Sequence, residues 1–221
     1  MRLFDYYYDV HSEFGEDGII YFFVKSLNIR DRPHTFLNLS EIFQRKNMFL
    51  FCIKHLNFKS SRPLSNAKVE CTIEGVKEVL KHVDSVYLLC VNTIGVDYWI
   101  LDTYFRHCNA KQKPVILFCK INVAIPFEKS VSVPYAKVQA RKNNYDKHYT
   151  GVSLSAVVYR LKSDYTFVGT TRNATFAVFV SNKYVIGNVS YDLYRFPNTI
   201  YANKNIWPTV SKKFWVNILN K

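Results

Sequence analysis

The chain has 221 residues, 48% of them apolar, and thirty lysines and arginines against seventeen acids leave a formal charge of +13 at neutral pH. That length and apolar content allow one domain with a sizeable core, and with Gly and Pro at seven each they exclude a disordered or glycine-rich chain. The longest apolar run, Ile19 to Val24, is too short to span a bilayer, and no charged-then-apolar leader opens the sequence.

Residues 1–30 read as an N-terminal arm. It carries a Tyr6-Tyr7-Tyr8 cluster, an acidic stretch from Glu13 to Asp17, and then an apolar run that includes Phe22 and Phe23. Asp17 can cap a helix with Ile20, Phe23, Val24 and Leu27 on one face, although the same residues also suit a strand. Such an arm either folds back on its own core or packs into a neighbouring molecule.

Residues 31–221 read as a run of short strands punctuated by Gly, Pro, Asn and Asp: Met48 to Lys54, Val86 to Val91, Asp97 to Leu101, and Val115 to Asn122. Later strands are expected at Val152 to Leu161, where Val152, Leu154, Ala156 and Val158 alternate, and at Thr166 to Val168, Thr175 to Val180 and Tyr184 to Val189. One internal helix stands out, starting near Thr72 with Ile73, Val76, Val79, Leu80 and Val83 at helical spacing. The expected fold is mainly β: an antiparallel β-sandwich with a few decorating helices and the N-terminal arm.

No catalytic constellation emerges. The five cysteines have no Cys-x-x-Cys pair and read as reduced thiols, not as a zinc site, and the acids form neither a pair nor a cluster. His107 beside Cys108 would point to opposite faces of a strand. The phrase Ser12 to Ile20 resembles the opening of some sugar- or lipid-modifying methyltransferases, but Phe36-Leu37-Asn38-Leu39 lacks the glycine-rich turn that a nucleotide cofactor needs at a strand end. The expectation is no enzyme, no metal and no required cofactor. Arg141, Lys142 and Lys147, interleaved with the aromatic Tyr145 and Tyr149, are the candidate nucleotide or phosphate contacts.

Sixteen tyrosines make the charge strongly dependent on pH. With lysines neutral and tyrosines and thiols ionised, the formal balance falls to about −28 in strong alkali. An assembly held by packed tyrosines and lysine–carboxylate pairs would then repel itself apart.

Phe105-Arg106-His107-Cys108-Asn109-Ala110-Lys111, then Pro114 to Phe118, Asn122-Val123 and Ser130-Val131-Ser132-Val133-Pro134, resemble in their order the centre of cypovirus polyhedrins. The resemblance spans roughly residues 35–190; the first thirty residues and the tail after Asn188 have no clear counterpart. It implies a β-sandwich whose N-terminal helical arm packs into trimers and then into an intracellular crystal that embeds virus particles and dissolves in alkali. On that reading the protein's partners are itself and virus particles, with nucleotides or RNA as counterions, no membrane, and a location in occlusion bodies of the host cytoplasm. Tyr6, Tyr7, Tyr8, Phe22, Phe23, Tyr145, Tyr149, Tyr201 and Trp207 are the candidate lattice contacts. The alternative is a basic single-stranded nucleic-acid-binding module.

Overall fold

Two apolar clusters occupy opposite faces of one sheet. The computed structural model describes residues 8–27, 29–30, 32–40, 46–60, 71–93, 95–135, 149–185 and 206–219. In chain order the elements are α1 (Glu16–Leu27), β1 (Thr35–Ser40), α2 (Lys46–Leu56), β2 (Lys59–Ser60), α3 (Ile73–Lys81), β3 (Leu88–Asn92), α4 (Asp97–His107) and β4 (Ile116–Lys120). There follow β5 (Val131–Ser132), α5 (Leu154–Leu161), β6 (Tyr165–Thr170), β7 (Phe176–Ser181), α6 (Trp207–Val210) and β8 (Val216–Asn217).

The main sheet has the order β2-β1-β3-β4-β7-β6. Strands β2, β1, β3 and β4 are parallel, and β7 runs antiparallel to both β4 and β6. Parallel strands need long crossovers, and here helices supply them. Register places Leu37, Leu39, Leu89, Val91, Leu117 and Cys119 on the face shared with α3, α4 and α5. Phe36, Leu88, Cys90, Ile116 and Phe118 face α1 and α2. Both faces are therefore dry, and the central strands are apolar throughout without alternating. A separate ribbon pairs β5 with β8.

The mainly-β expectation is met in part. A sheet is the centre of the fold, but a single mixed sheet covered by helices on both faces stands where two face-packed antiparallel sheets were expected. Strands at 86–91, 115–122, 166–168 and 175–180 and the helix after Thr72 are present, the last with the Thr72 hydroxyl accepting from the Gly75 N–H at 3.0 Å. Three expected strands are helices. In α2, Phe51, Cys52 and Leu56 are buried while Ile53, Lys54 and His55 are exposed, a helical pattern hidden in a continuous apolar run. In α4, Tyr98, Ile100, Leu101 and Tyr104 are buried at helical spacing, although Tyr, Trp and Ile favour strands. In α5, the Ser153 hydroxyl accepts from the Ala156 N–H at 3.2 Å, and this cap turns an apparent alternation into a helix burying Leu154, Ala156, Val157 and Leu161. Of the run at 184–189, Tyr184 and Val185 are not in a strand and the remainder lies outside the described residues.

The opening segment is helical. Asp17 Oδ2 accepts from the N–H groups of Val10, His11 and Ser12 at 2.9, 2.6 and 2.8 Å, which folds residues 10–12 onto the first turn of α1. Ile19, Ile20 and Phe23 then bury themselves against the sheet. No helix among the described residues is long and apolar enough to cross a membrane.

Candidate functional site

Strand order reverses beside β1. The chain passes from β1 through α2 to β2 on one side, then through α3 to β3 on the other. Helices α2 and α4, which follow β1 and β3, pack on opposite faces of the sheet, and the carboxyl edge between two such strands is the usual ligand position in open α/β sheets. Beside it, at the ends of β3 and β4, lies a polar cluster of Thr93, Asp97 and Lys120.

Asp97 opens α4 and is 1% exposed. Its Oδ1 accepts from the Thr93 N–H at 2.7 Å, the Thr93 hydroxyl accepts from the Val96 N–H at 3.1 Å, and Lys120 Nζ donates to the Thr93 carbonyl at 3.2 Å. The other carboxylate oxygen, Oδ2, is buried without a hydrogen-bond partner. Burial pushes the Asp97 carboxyl up to about 6, against the opposing pull of the Lys120 charge and the Thr93 hydrogen bonds. The cluster therefore holds an acid that changes charge near neutrality, with one oxygen uncommitted.

Two glycines close this edge. Gly95 has φ 89°, and a Cβ there would meet the Thr150 hydroxyl at 2.5 Å, so the loop after β3 and the 150–152 segment touch only because Gly95 has no side chain. Gly151, at φ 72°, lies over Asp97 Oδ2, and Asn122 Nδ2 holds the segment by donating to the Thr150 carbonyl at 2.7 Å. None of these residues is a candidate site residue in the sequence reading, where Asn122 enters only as part of the polyhedrin-like order of segments. The legible signal was an apolar strand ending Asn92-Thr93, a glycine at 95 and an acid at 97 opening a helix.

At the amino ends of β1 and β2 lies a cleft of about 530 Å³ between the end of α1, the 29–34 connection and the segment entering β2. Among the described residues, Lys25, Arg30, Arg32, His34 and Lys59 line it. His34 stacks on Phe58 with ring centroids 5.1 Å apart and meets Tyr87 edge-on at 4.7 Å.

The residues expected to act lie elsewhere. Tyr6, Tyr7, Arg141, Lys142, Tyr145, Lys147 and Tyr201 fall outside the described residues. Tyr8 is exposed, edge-on to Tyr21 and Phe51 at 6.2 Å from each. Phe22 and Phe23 belong to the core under α1 and present no outer surface. Tyr149 and Trp207 converge on Trp215, at 4.8 and 5.4 Å between centroids, and the Tyr149 hydroxyl donates to the Phe214 carbonyl. His107 and Cys108 end α4 and do not sit on a strand; burial raises the Cys108 thiol, with Lys113 opposing, so it is not an activated nucleophile. No disulfide joins the five cysteines, and no group of three or more metal-ligating side chains occurs among the described residues. The chain matches no protein family, no characterised protein and no solved structure.

Proposed function

We propose that this protein is a non-catalytic binding domain on a doubly wound α/β frame, taking a small hydroxyl- or amine-bearing molecule at the carboxyl edge of β1, β3 and β4. The observation that carries the reading is Asp97: a buried carboxylate, one oxygen uncommitted, beside the point where strand order reverses. A group left partly unsatisfied at a cost to stability is a mark of a site kept for binding.

The likeness of Ser12 to Ile20 to methyltransferases would add a methyl-donor nucleoside, and the residues do not fit one. Such a cofactor lies on backbone made approachable by glycine after the first strand, whereas this chain has no glycine between Gly18 and Gly75. What the edge offers instead is an acceptor that becomes a donor when protonated, and a lysine whose charge stands within its field. The occlusion-body reading rests on composition and on the order of short segments. The β-sandwich that the polyhedrin resemblance implied is not the architecture observed.

Thermal denaturation at pH 7.5 against a panel of monosaccharides, polyamines and S-adenosylmethionine tests the proposal. A sugar or amine that raises Tm in the parent chain and not in Asp97→Asn supports it. Stabilisation by S-adenosylmethionine together with methyl transfer to any acceptor would overturn the non-catalytic reading.

A further inference from the structure

We propose that His11 and His55 form a site for a divalent transition ion of the zinc class, which clamps the opening segment to the end of α2 and is independent of the carboxyl-edge site. His11 lies in the segment before α1 and His55 in the last turn of α2, 44 residues apart in sequence. Their Nε2 atoms stand 3.4 Å apart, and the ring centroids 5.4 Å apart with the planes tilted by 36°. Two imidazole nitrogens on one tetrahedral zinc, each bonded at about 2.0–2.1 Å, are about 3.4 Å apart, with the ring centroids behind them at about 5.2 Å. Both separations match those of the pair. A hydrogen bond between the rings would draw the nitrogens closer, to about 3 Å. The two rings are therefore spaced to share an ion more than to share a proton.

Both rings are positioned in advance. The His11 N–H donates to Asp17 Oδ2 at 2.6 Å, the Tyr8 carbonyl accepts from the Gly18 N–H at 3.2 Å, and Asp9 pairs with Arg172 at 3.2 Å, so the segment carrying His11 is tied down at three points. The His55 ring rests on Phe51, one turn earlier in α2, with centroids 5.2 Å apart, and Phe51 is itself buried. Donors fixed in this way bind an ion with little further loss of side-chain freedom. Among the described residues neither ring makes another hydrogen bond, and imidazole is a ligand suited to zinc, copper and nickel. The carboxyl end of α2 carries partial negative charge that favours a cation, and Lys54, exposed in the same turn, opposes it in part. No third His, Cys, Asp or Glu completes the set among the described residues, so the remaining positions on the ion go to water. Such an open site is weaker and more exchangeable than a closed four-ligand one.

Isothermal titration of the full chain at pH 7.5 with zinc chloride, and with magnesium chloride as a hard-ion control, tests the site. The expected result is one zinc per chain, no magnesium, and binding weaker by at least about tenfold in His11→Ala and in His55→Ala, with the double variant no weaker than either single one. His107→Ala, at an exposed histidine beside Cys108, should bind zinc as the parent does. Zinc should also slow amide hydrogen exchange in residues 10–12 of the parent and not of His55→Ala. Where alanine at position 11 loosens the opening segment, His11→Gln serves in its place. Losses in the single variants that add in the double would mean two separate surface imidazoles, and loss in His107→Ala alone would place the ion beside the thiol. Half a zinc per chain would mean an ion shared between two copies, and unchanged exchange in residues 10–12 with zinc bound would mean that nothing is clamped. Each of these outcomes overturns the proposal.

Discussion

The two ends of the sheet handle charge in opposite ways. At the carboxyl end an acid is buried to 1% exposure, and its ionised form is disfavoured by the loss of water around it. At the amino end Lys25 and Lys59 are exposed around Arg32, which carbonyls hold in place. One end stores cost in a desolvated charge and the other in repulsion between hydrated ones. The first cost does not depend on salt and depends strongly on pH near neutrality; the second is the reverse. That difference makes the two ends separable by experiment.

The largest effect should come from Gly95→Val. A β-branched side chain at φ 89° is strained, and its Cβ would strike the Thr150 hydroxyl. The loop after β3 and the 150–152 segment would be forced apart, at a cost of about 4 kcal/mol by urea unfolding.

Asp97→Asn should act in the other direction. A carboxyl raised in the folded state leaves stability intact below its unfolded value of 3.8 and removes it as pH rises through about 6. Replacing Asp97 with Asn keeps an acceptor for the Thr93 N–H and ends that loss. The variant should match the parent near pH 4 and exceed it at pH 7.5 by up to about 3 kcal/mol, the unpartnered amide N–H subtracting from that gain. Unfolding at the two pH values checks it, and an equal difference at both would mean that Asp97 does not titrate in this range.

How much of this could be read from the chain depends on range. The helix after Thr72 was legible because cap, spacing and last-turn bases agree within eleven residues. The strands at 86–91 and 115–122 were legible as short apolar runs, but their parallel pairing was not, because pairing is set by helices between them that themselves looked like strands. Reading α2, α4 and α5 as strands turned an alternating α/β order into a sandwich. Asp97 escaped notice because nothing local marks a carboxylate as buried; Lys120 and Gly151 approach it only in the fold. The cleft escaped for the same reason, since Lys25 and Lys59 are brought together by α1 and β2. Arg141, Lys142 and Lys147 drew attention because they are adjacent in sequence.

Tyr87 carries the pH argument to the amino end, where it lies under His34 with its hydroxyl buried and without a hydrogen-bond partner. Burial raises its ionisation, the neighbouring Tyr184 adds to the rise, and Arg32 opposes it. Stability is therefore intact below about pH 10 and is lost as pH climbs toward the folded value. Tyr87→Phe should stabilise by about 1 kcal/mol at neutral pH by removing an unsatisfied hydroxyl, and should make the alkaline fall in stability shallower. Absorbance titration of tyrosine with parallel circular dichroism checks both. An unchanged alkaline slope would shift the cause to Tyr104 and Tyr165, both raised by burial and each donating to a backbone carbonyl.

The smallest effect separates the two costs. Lys25→Ala removes one exposed cation from the amino-end group without touching the core. Relief of repulsion should stabilise the chain by about 0.3 kcal/mol at low ionic strength and by nothing measurable in 0.5 M salt, because such charges are screened beyond a few ångströms there. The Asp97→Asn gain should persist in the same salt, since its source is the loss of water around the carboxylate and not repulsion between hydrated charges. If salt instead removes the Asp97→Asn gain and leaves the Lys25→Ala gain, Asp97 is reached by solvent ions and Lys25 is held in a desolvated contact, and the assignment of the two ends is inverted.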